Sequence, residues 1–252
     1  MATDLFRAAR RERRQLVMAW VTLGVPYVVE QMGAIGYDAV LVDQQHGIGD
    51  HGDLVNCLAA ARAAGLPALV RPVSADAGLI GQALDAGAQG VVCPLINTAD
   101  DADAVVRAVK YPPRGARSWG PYAGKFLLET DYFDTADDWT LACVQIETRA
   151  AVDNLDAILG VDGVDMALLG PNDLAAGLTG ERDIHAGEVA EAIDLVLRKS
   201  REHDVIAAIF ANDADYAKPL VEAGWDVITI GTDMGLLSDG AMRALAAARA
   251  GQ

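Results

Sequence analysis

Short apolar runs rich in β-branched residues recur along the chain, and segments with helical periodicity separate most of them. Eight runs stand out, at residues 17–23, 39–43, 67–71, 89–95, 141–147, 164–169, 205–210 and 226–230. Two intervening segments place apolar residues on one helical face: Ala102, Val105, Val106 and Val109 in 100–110, and Val189, Ile193, Val196 and Leu197 in 188–203. Strands that alternate with helices pair in parallel, and strands that are apolar throughout are buried on both faces.

Eight β/α units in 252 residues predict a (β/α)8 TIM barrel, and we expect a single domain over residues 1–252. The competing fold is a doubly wound open sheet. That fold usually carries a glycine-rich phosphate-binding turn after its first strand, and the sequence LGVP at 23–26 is a poor one. Helix starts are also marked, with Asp100 predicted to cap the helix at 100–110 and Asn212-Asp213 a later one.

Residues 111–140 interrupt this alternation. The segment contains PPRGAR at 112–117 and then five aromatic residues: Trp119, Tyr122, Phe126, Tyr132 and Phe133. About thirty residues without clear periodicity are too many for a plain connection. Two interpretations stay open, an irregular packed excursion, or a cover over the active-site face or a subunit contact.

Composition limits the partners and the compartment. The formal net charge of -16 argues against a polyanionic partner such as nucleic acid. No apolar stretch approaches the roughly 18 residues of a membrane span, so we expect neither membrane insertion nor a signal peptide. The N-terminal arginines are expected to form a solvated first helix: Arg7, Arg10, Arg11, Arg13 and Arg14. Cys93 and Cys143 lie in apolar runs and are expected to be buried, which suits a reducing cytoplasm.

Two carboxylates stand at the carboxyl ends of consecutive predicted strands. Glu147 closes the fifth apolar run, and Asp173 follows the sixth. In a (β/α)8 barrel the active site lies at these strand ends. Two carboxylates without a nearby Cys or His favour Mg²⁺ or Mn²⁺ over structural zinc. The alternative is that either acid caps the helix that follows it.

His46 and Arg71 mark two earlier strand ends. His46 precedes Gly47 after the second strand, and a neutral imidazole there could serve as a general base. Arg71 closes the third strand, where a buried guanidinium needs a partner. Arg71 therefore either forms a structural ion pair, for example with Asp43, or stabilises a developing oxyanion.

The positions of the lysines argue against a Schiff-base mechanism. The chain contains only Lys110, Lys125, Lys199 and Lys218, and none of them ends a predicted strand. A Schiff base needs a lysine at the reacting carbonyl. Metal-assisted enolate chemistry is therefore the preferred expectation.

These motifs resemble the class II, metal-dependent pyruvate aldolases of the 4-hydroxy-2-oxoheptanedioate and 2-dehydro-3-deoxyglucarate aldolase type. The resemblance spans nearly the whole chain. It rests on GYDAVLVD at 36–43, HG at 46–47, VRP at 70–72, LDAGAQG at 84–90, YPPRGAR at 111–117, QIET at 145–148 and GPNDL at 170–174.

The resemblance implies a barrel whose last helix is exchanged between subunits, assembled as a homohexamer from dimers. It implies a divalent metal, Mg²⁺ or Mn²⁺ with Co²⁺ possible, held by Glu147 and Asp173, and His46 as the catalytic base. It implies that Asp85 of a neighbouring subunit orients His46, and that Arg71 stabilises the enolate oxygen. Gln145, Gly170 and the backbone at Asn172 and Asp173 are implied to hold the substrate.

The expected activity is the reversible aldol cleavage of 4-hydroxy-2-oxo acids into an aldehyde and pyruvate or hydroxypyruvate. Trp20, the segment at 111–140 and a neighbouring subunit are expected to shape the aldehyde pocket. Two departures stand out, because Gln45 replaces a frequent Glu and Asn172 a frequent small residue. The rival activities are cleavage of 3-hydroxyacyl-CoA thioesters, isomerisation in a phosphate-binding barrel, and a noncatalytic scaffold.

Overall fold

The computed structural model describes residues 2–123 and 132–250, with side chains from residue 5 onward. Eight parallel strands form a closed barrel in chain order, and β8 pairs with β1. The strands are β1 Leu16–Val21, β2 Ala39–Asp43, β3 Ala68–Arg71, β4 Gly90–Cys93, β5 Leu141–Ile146, β6 Met166–Leu169, β7 Ile206–Ala211 and β8 Val227–Ile230. The predicted (β/α)8 barrel and all eight predicted strands are confirmed.

Helices alternate with the strands, and most of them pack around the outside of the barrel. They are α1 Ala2–Glu12, α2 Pro26–Ile35, α3 His51–Ala63, α4 Ala77–Asp85, α5 Ala99–Val109, α6 Tyr132–Trp139, α7 Arg149–Asp153, α8 Leu155–Leu159, α9 Pro171–Thr179, α10 Gly187–Glu202, α11 Ala214–Ala223 and α12 Asp233–Arg249. The apolar residues predicted to share a face in α5 and in α10 are all buried. Hydrophobic periodicity therefore identified the inner faces of both helices.

One predicted helix cap is confirmed and one is wrong. The Asp213 carboxylate accepts the N–H of Tyr216 and caps α11. The N-cap of α5 is Thr98, not Asp100. Thr98 and Asp101 accept each other's backbone N–H in a capping box, which leaves Asp100 inside the first turn.

Two apolar layers form the core. One fills the space between the barrel and its helices, and the other fills the barrel interior. Phe6 and Ala9 of α1 belong to the interior cluster and are almost completely buried. Because α1 plugs the amino-terminal end of the barrel, the open end is the one at the carboxyl ends of the strands.

Four side-chain hydrogen bonds join neighbouring strands at the closed end of the barrel and form what we call the latch. The residue before each even-numbered strand accepts a backbone N–H from the preceding odd-numbered strand at 2.8–3.2 Å: Asp38 from Val17, Gln89 from Ala68, Asp165 from Ala142, and Asp226 from Ala207. N-terminal arginines pair with the three acids: Arg7 with Asp165, Arg10 with Asp226, and Arg14 with Asp38. The prediction of a solvated first helix is therefore wrong for Arg10, whose side chain is only 16% exposed.

The segment at 111–140 is partly described, since residues 124–131, with Phe126 and Lys125, lie outside the described residues. Tyr111, Tyr132 and Trp139 form a buried cluster with Ala136. Trp119 and Phe133 stack on the same cluster. The described part packs on itself, and a role as a cover or a subunit contact stays a prediction.

The cysteines are buried and free, as predicted for Cys93 and Cys143. Burial, followed by the nearby Asp53 and Asp233 charges, raises the pKa of Cys57 to about 11, and burial raises the pKa of Cys93 to about 12. Both thiols are therefore protonated near neutral pH. Among the described helices, none has the length and hydrophobicity needed to cross a membrane.

Candidate active site

A pocket of about 290 Å³ lies at the carboxyl ends of the strands. Its lining comes from seven of the eight strand ends and the loops that follow them: Trp20, Thr22, Asp43, His46, Arg71, Gln145, Gly170, Pro171, Asn172, Asp173, Phe210 and Thr232. Seven residues singled out from the sequence are therefore brought together here. Glu147 adjoins the pocket beside Gln145, whereas Asp85 lies elsewhere in the chain.

Asp43 and Arg71 form a buried ion pair at one wall of the pocket. They are register partners on β2 and β3. The guanidinium donates from Nε and Nη2 to the two carboxylate oxygens at 2.9 and 2.5 Å. Burial tends to raise the pKa of Asp43, but the bonds and charge of Arg71 outweigh it and the pKa is lowered. The predicted ion pair between Arg71 and Asp43 is therefore confirmed.

Trp20 fixes the same pair from the neighbouring strand. Its indole donates to Asp43 at 3.1 Å, and the guanidinium carbon of Arg71 lies 4.7 Å from its ring centroid. The ring also packs edge-on against Phe210, with centroids 5.1 Å apart. Arg71 is thus held on two sides, and its remaining donor capacity belongs to the pocket.

The loop after β2 presents His46 at the rim. Asp43 accepts the backbone N–H groups of Gln45 and His46 at 2.9 and 3.3 Å. A side chain at Gly47 would put a carbon 2.0 Å from the Asp43 carbonyl oxygen, so only glycine fits this turn. The His46 side chain is exposed, and its ring forms no hydrogen bond within the described residues.

Glu147 is buried with defined partners. Its Oε1 accepts the Leu95 N–H at 2.8 Å, and its Oε2 accepts the Gln145 amide at 2.6 Å. Burial raises the pKa of Glu147; the bond from Leu95 opposes that shift, and the nearby Asp173 carboxylate adds to it. Thr148 rather than Glu147 caps α7, so the capping interpretation is wrong for Glu147.

Leu95 was not singled out from the sequence. It is 54% exposed and has a φ of 58°, which a leucine rarely adopts. This conformation aims its N–H at Glu147. Backbone strain of this kind concentrates at functional sites, and no sequence signal marked it.

Gly170 makes room for the carboxylate. It is the N-cap of α9, and Asp173 lies in the first turn of that helix. A carbon added at Gly170 would lie 2.9 Å from Glu147 Oε2 and 3.1 Å from the Gln145 amide nitrogen. Glycine therefore lets the start of α9, and Asp173 with it, approach Glu147.

These residues fit a hard divalent cation. Glu147 and Asp173 offer carboxylate oxygens, and the buried Gln145 Oε1 has no hydrogen-bond partner in the described part of the chain. No group of three or more His, Cys, Asp or Glu that could hold a metal occurs among the described residues. A metal here would thus keep positions open for water and substrate.

Asn172 forms a side-chain pair that the sequence did not suggest. Its amide exchanges two hydrogen bonds with the amide of Asn212, at 3.0 and 3.1 Å. The pair bridges the start of α9 to the loop after β7. The ends of β7 and β8 also contribute Phe210 and Thr232 to the pocket lining.

Asp85 lies outside the pocket of its own chain. It ends α4, where Arg117 binds it at 2.9 Å. The pair lines a separate surface groove of about 640 Å³. A contact of Asp85 with His46 therefore needs a second copy of the chain, and that role stays a prediction.

None of the three described lysines lines the pocket. Lys110 is buried and donates to the carbonyls of Asp137 and Thr140, just before β5 at the closed end of the barrel. Lys199 and Lys218 pair with acids on surface helices.

Comparisons with known proteins agree with this geometry. Residues 16–240 match the family described as HpcH/HpaI aldolase/citrate lyase. The chain is 35% identical to the hydroxypyruvate/pyruvate aldolase of Roseovarius nubinhibens, over 97% of this chain and 96% of that protein. It is 32% identical to a 2-keto-3-deoxy-L-rhamnonate aldolase of Escherichia coli, over 100% and 96%. A crystal structure of a HpcH/HpaI aldolase/citrate lyase family protein from Burkholderia cenocepacia superposes with a TM-score of 0.92 at 33% identity, covering 98% and 99%.

Proposed function

The chain belongs to the HpcH/HpaI aldolase/citrate lyase family and is a carbon–carbon lyase, and from that premise we propose that it cleaves 4-hydroxy-2-oxo acids reversibly into an aldehyde and pyruvate or hydroxypyruvate. The observation that carries the proposal is the convergence of Arg71, His46 and Asp173 on one pocket with Glu147 beside it. The pocket volume of about 290 Å³ is at the small end for ligand sites and suits a small oxo acid.

Glu147 and Asp173 would hold the divalent cation on which the family generally depends. We propose Mg²⁺ or Mn²⁺, with Co²⁺ as a further possibility, because both ligands are hard carboxylates. When bound, the cation supplies a Lewis acid for the carboxylate and keto oxygens of the 2-oxo acid. The Gln145 amide holds Glu147 in place by donating to its Oε2, and the Gln145 Oε1, which has no partner among the described residues, could add a neutral oxygen ligand.

In cleavage, His46 takes the proton of the C4 hydroxyl. The C3–C4 bond breaks, its electron pair enters the enolate of the 2-oxo acid, and the C4 carbonyl leaves as an aldehyde. Arg71 lies where it can donate to the enolate oxygen, since Asp43 and Trp20 keep its guanidinium in one orientation. A proton returned to C3 completes pyruvate, and synthesis reverses these steps.

The substrate would lie between two differing walls. The start of α9 offers Gly170 and the backbone at Asn172 and Asp173. The second wall is the aromatic pair Trp20 and Phe210, against which the aldehyde portion would pack. These walls fit a small acceptor aldehyde. Besides Arg71 and His46, the described lining offers no basic side chain that could bind a further anionic group of a larger acceptor.

We further propose a homo-oligomer, a hexamer of exchanged dimers. In α12 Asp233 alone is buried, and five large apolar side chains are exposed: Met234, Leu236, Leu237, Met242 and Leu245. A helix with so much uncovered apolar surface normally packs against a partner. In such an assembly Asp85 of a neighbouring subunit would orient His46, whose ring lacks a hydrogen-bond partner among residues 2–123 and 132–250.

A retro-aldol assay on 4-hydroxy-2-oxo acids with added Mg²⁺ or Mn²⁺ tests the reaction. His46→Ala and Arg71→Ala should each lose about 100-fold or more in kcat/KM, whereas the matched surface variant His185→Ala should not. Activity that survives EDTA, together with a pyruvate adduct trapped by borohydride, would show a metal-independent Schiff-base mechanism and refute the proposal. Faster cleavage of malyl-CoA would favour the thioester lyase instead.

Co-expression of two inactive variants tests the shared site. Mixed oligomers of His46→Ala and Asp85→Ala contain some sites that combine an intact His46 with an intact Asp85 from the other subunit. Activity should therefore reappear in the mixture. If each variant is inactive alone and the mixed oligomers also stay inactive, Asp85 does not act across a subunit boundary.

A further inference from the structure

Asp233 is a buried carboxylate beside the pocket that the reaction proposed above does not use. It follows β8, opens α12 and is only 4% exposed. Its Oδ1 accepts the backbone N–H and the hydroxyl of Thr22 at 2.8 and 2.7 Å, and its Oδ2 accepts the Leu23 N–H at 3.1 Å. A buried charge with these partners is strongly tied to the loop after β1.

Capping of α12 does not explain these bonds. The N-cap is Thr232, whose hydroxyl accepts the Gly235 N–H at 3.1 Å. Asp233 adds only a bond from the N–H of Met234 to the helix itself. Its three other bonds all reach across to residues 22–23, more than 200 positions earlier in the chain.

The loop after β1 in turn supports the loop that carries His46. The Thr22 carbonyl accepts the Ile48 N–H at 2.8 Å. Gly24 and Gly49 pack backbone to backbone, since a carbon added at Gly24 would lie 2.8 Å from the Gly49 Cα. Residues 22–24 therefore form a direct support for residues 48–49.

His46 lies between two anchors. On one side Asp43 accepts the N–H groups of Gln45 and His46. On the other side Ile48 is bound to Thr22. If the second anchor is released, Ile48 is no longer bound to the loop after β1, and the imidazole gains freedom to shift relative to Arg71.

We propose that Asp233 is a positioning residue that keeps His46 at the distance needed for proton transfer, acting through Thr22 and the backbone of Ile48. This inference rests on the proposed function, in which His46 is the base. None of the hydrogen bonds of Asp233 reaches Glu147, Asp173 or Gln145. Loss of the carboxylate should therefore impair proton transfer and leave metal binding unchanged.

The test compares Asp233→Asn with the matched control Asp213→Asn, in which the altered acid caps α11 without touching the loop of His46. Exchange of the pyruvate methyl protons with D₂O, followed by NMR in the presence of Mn²⁺, reports on proton transfer. Titration with Mn²⁺ alone reports on the metal site. We expect Asp233→Asn to slow exchange by about 10- to 100-fold, with Mn²⁺ affinity within about twofold of wild type and the control unaffected.

Exchange within about twofold of wild type in Asp233→Asn would overturn the inference, and so would a parallel loss of exchange and Mn²⁺ affinity. A His46→Ala arm separates the two proposals. Exchange that survives His46→Ala refutes the proposed base itself, whereas exchange lost there but kept in Asp233→Asn refutes only the positioning role.

Two milder variants keep the test decisive if Asp233→Asn does not fold. Thr22→Val removes one of the bonds to Asp233 and keeps the carboxylate. Thr22→Ser keeps the hydroxyl, so it should exchange protons several-fold faster than Thr22→Val. Equal rates in these two variants would contradict the inference.

Discussion

Replacement of Gly170 by alanine is expected to weaken metal binding through a steric effect alone. The backbone of Gly170 has φ -100° and ψ 94°, which alanine adopts without strain. The new methyl group would lie 2.9 Å from Glu147 Oε2, whereas an ordinary contact begins at 3.4 Å. The Glu147 carboxylate or the start of α9 must therefore move by about 0.5 Å, a displacement that catalytic and binding sites tolerate poorly.

The magnitude follows from the cost of overpacking. An extra methyl group in a well-packed site typically costs about 1–3 kcal/mol. Here the nearest atoms belong to Glu147 and to Gln145, which holds it. If this cost falls on the metal-binding arrangement, at about 1.4 kcal/mol per tenfold change, affinity should fall by about 10- to 100-fold.

Calorimetric titration of the EDTA-stripped protein with Mn²⁺ measures this loss. Gly177→Ala is a matched control in the same helix, because its nearest neighbours lie 3.8 Å from the added carbon. The control should keep its Mn²⁺ affinity and gain about 0.5–1 kcal/mol of stability from its better helix propensity. Wild-type affinity and kcat in Gly170→Ala would refute the steric argument and the assignment of Glu147 as a ligand.

Three further changes test other parts of the molecule. Asp43→Ala leaves Arg71 buried without its carboxylate and should lower the free energy of unfolding by about 3–5 kcal/mol in urea denaturation, with a loss below about 1 kcal/mol as the contrary result. Arg71 lowers the pKa of Asp43 in the folded protein, so the Asp43 carboxylate stabilises the fold fully above the ordinary pKa of 3.8. That stabilisation is lost as the pH falls through the folded pKa, and wild type should lose stability in this pH range more steeply than Asp43→Asn. Asp165→Asn weakens the latch at the closed end and should cost about 1–3 kcal/mol of stability while kcat stays unchanged, which unfolding curves and the retro-aldol assay check together. Leu237→Glu on α12 should shift the sedimentation coefficient toward a smaller species, and a monomeric wild type would contradict the proposed assembly.

Much of the fold follows from local pattern. The eight apolar runs predicted the eight strands because a strand buried on both faces must be apolar throughout. The same pattern located Glu147 and Asp173, since parallel strands deliver their carboxyl ends to one side of a barrel. Asp100 was misjudged as a cap because the Thr98–Asp101 capping box competes successfully for the start of α5.

Other features had no local signal. Leu95 is an ordinary residue in the sequence, and its positive φ follows from the path of the loop after β4. In the sequence, Asp233 is simply an acid three residues after the last apolar run. Its role depends on β8 pairing with β1, which brings it beside Thr22. Such contacts join chain ends that only barrel closure brings together.

The sequence by itself determined the barrel, the strand ends and the types of chemical group that stand there, because hydrophobic periodicity is a local property of the chain. The tertiary structure alone decided how those groups are held. In the folded chain Arg71 pairs with Asp43 and stacks on Trp20, and Glu147 packs directly against Gly170. The loop that carries His46 is anchored at one end by Asp43 and at the other by Thr22. These arrangements depend on distances between strands far apart in sequence, which are set by register and closure of the barrel.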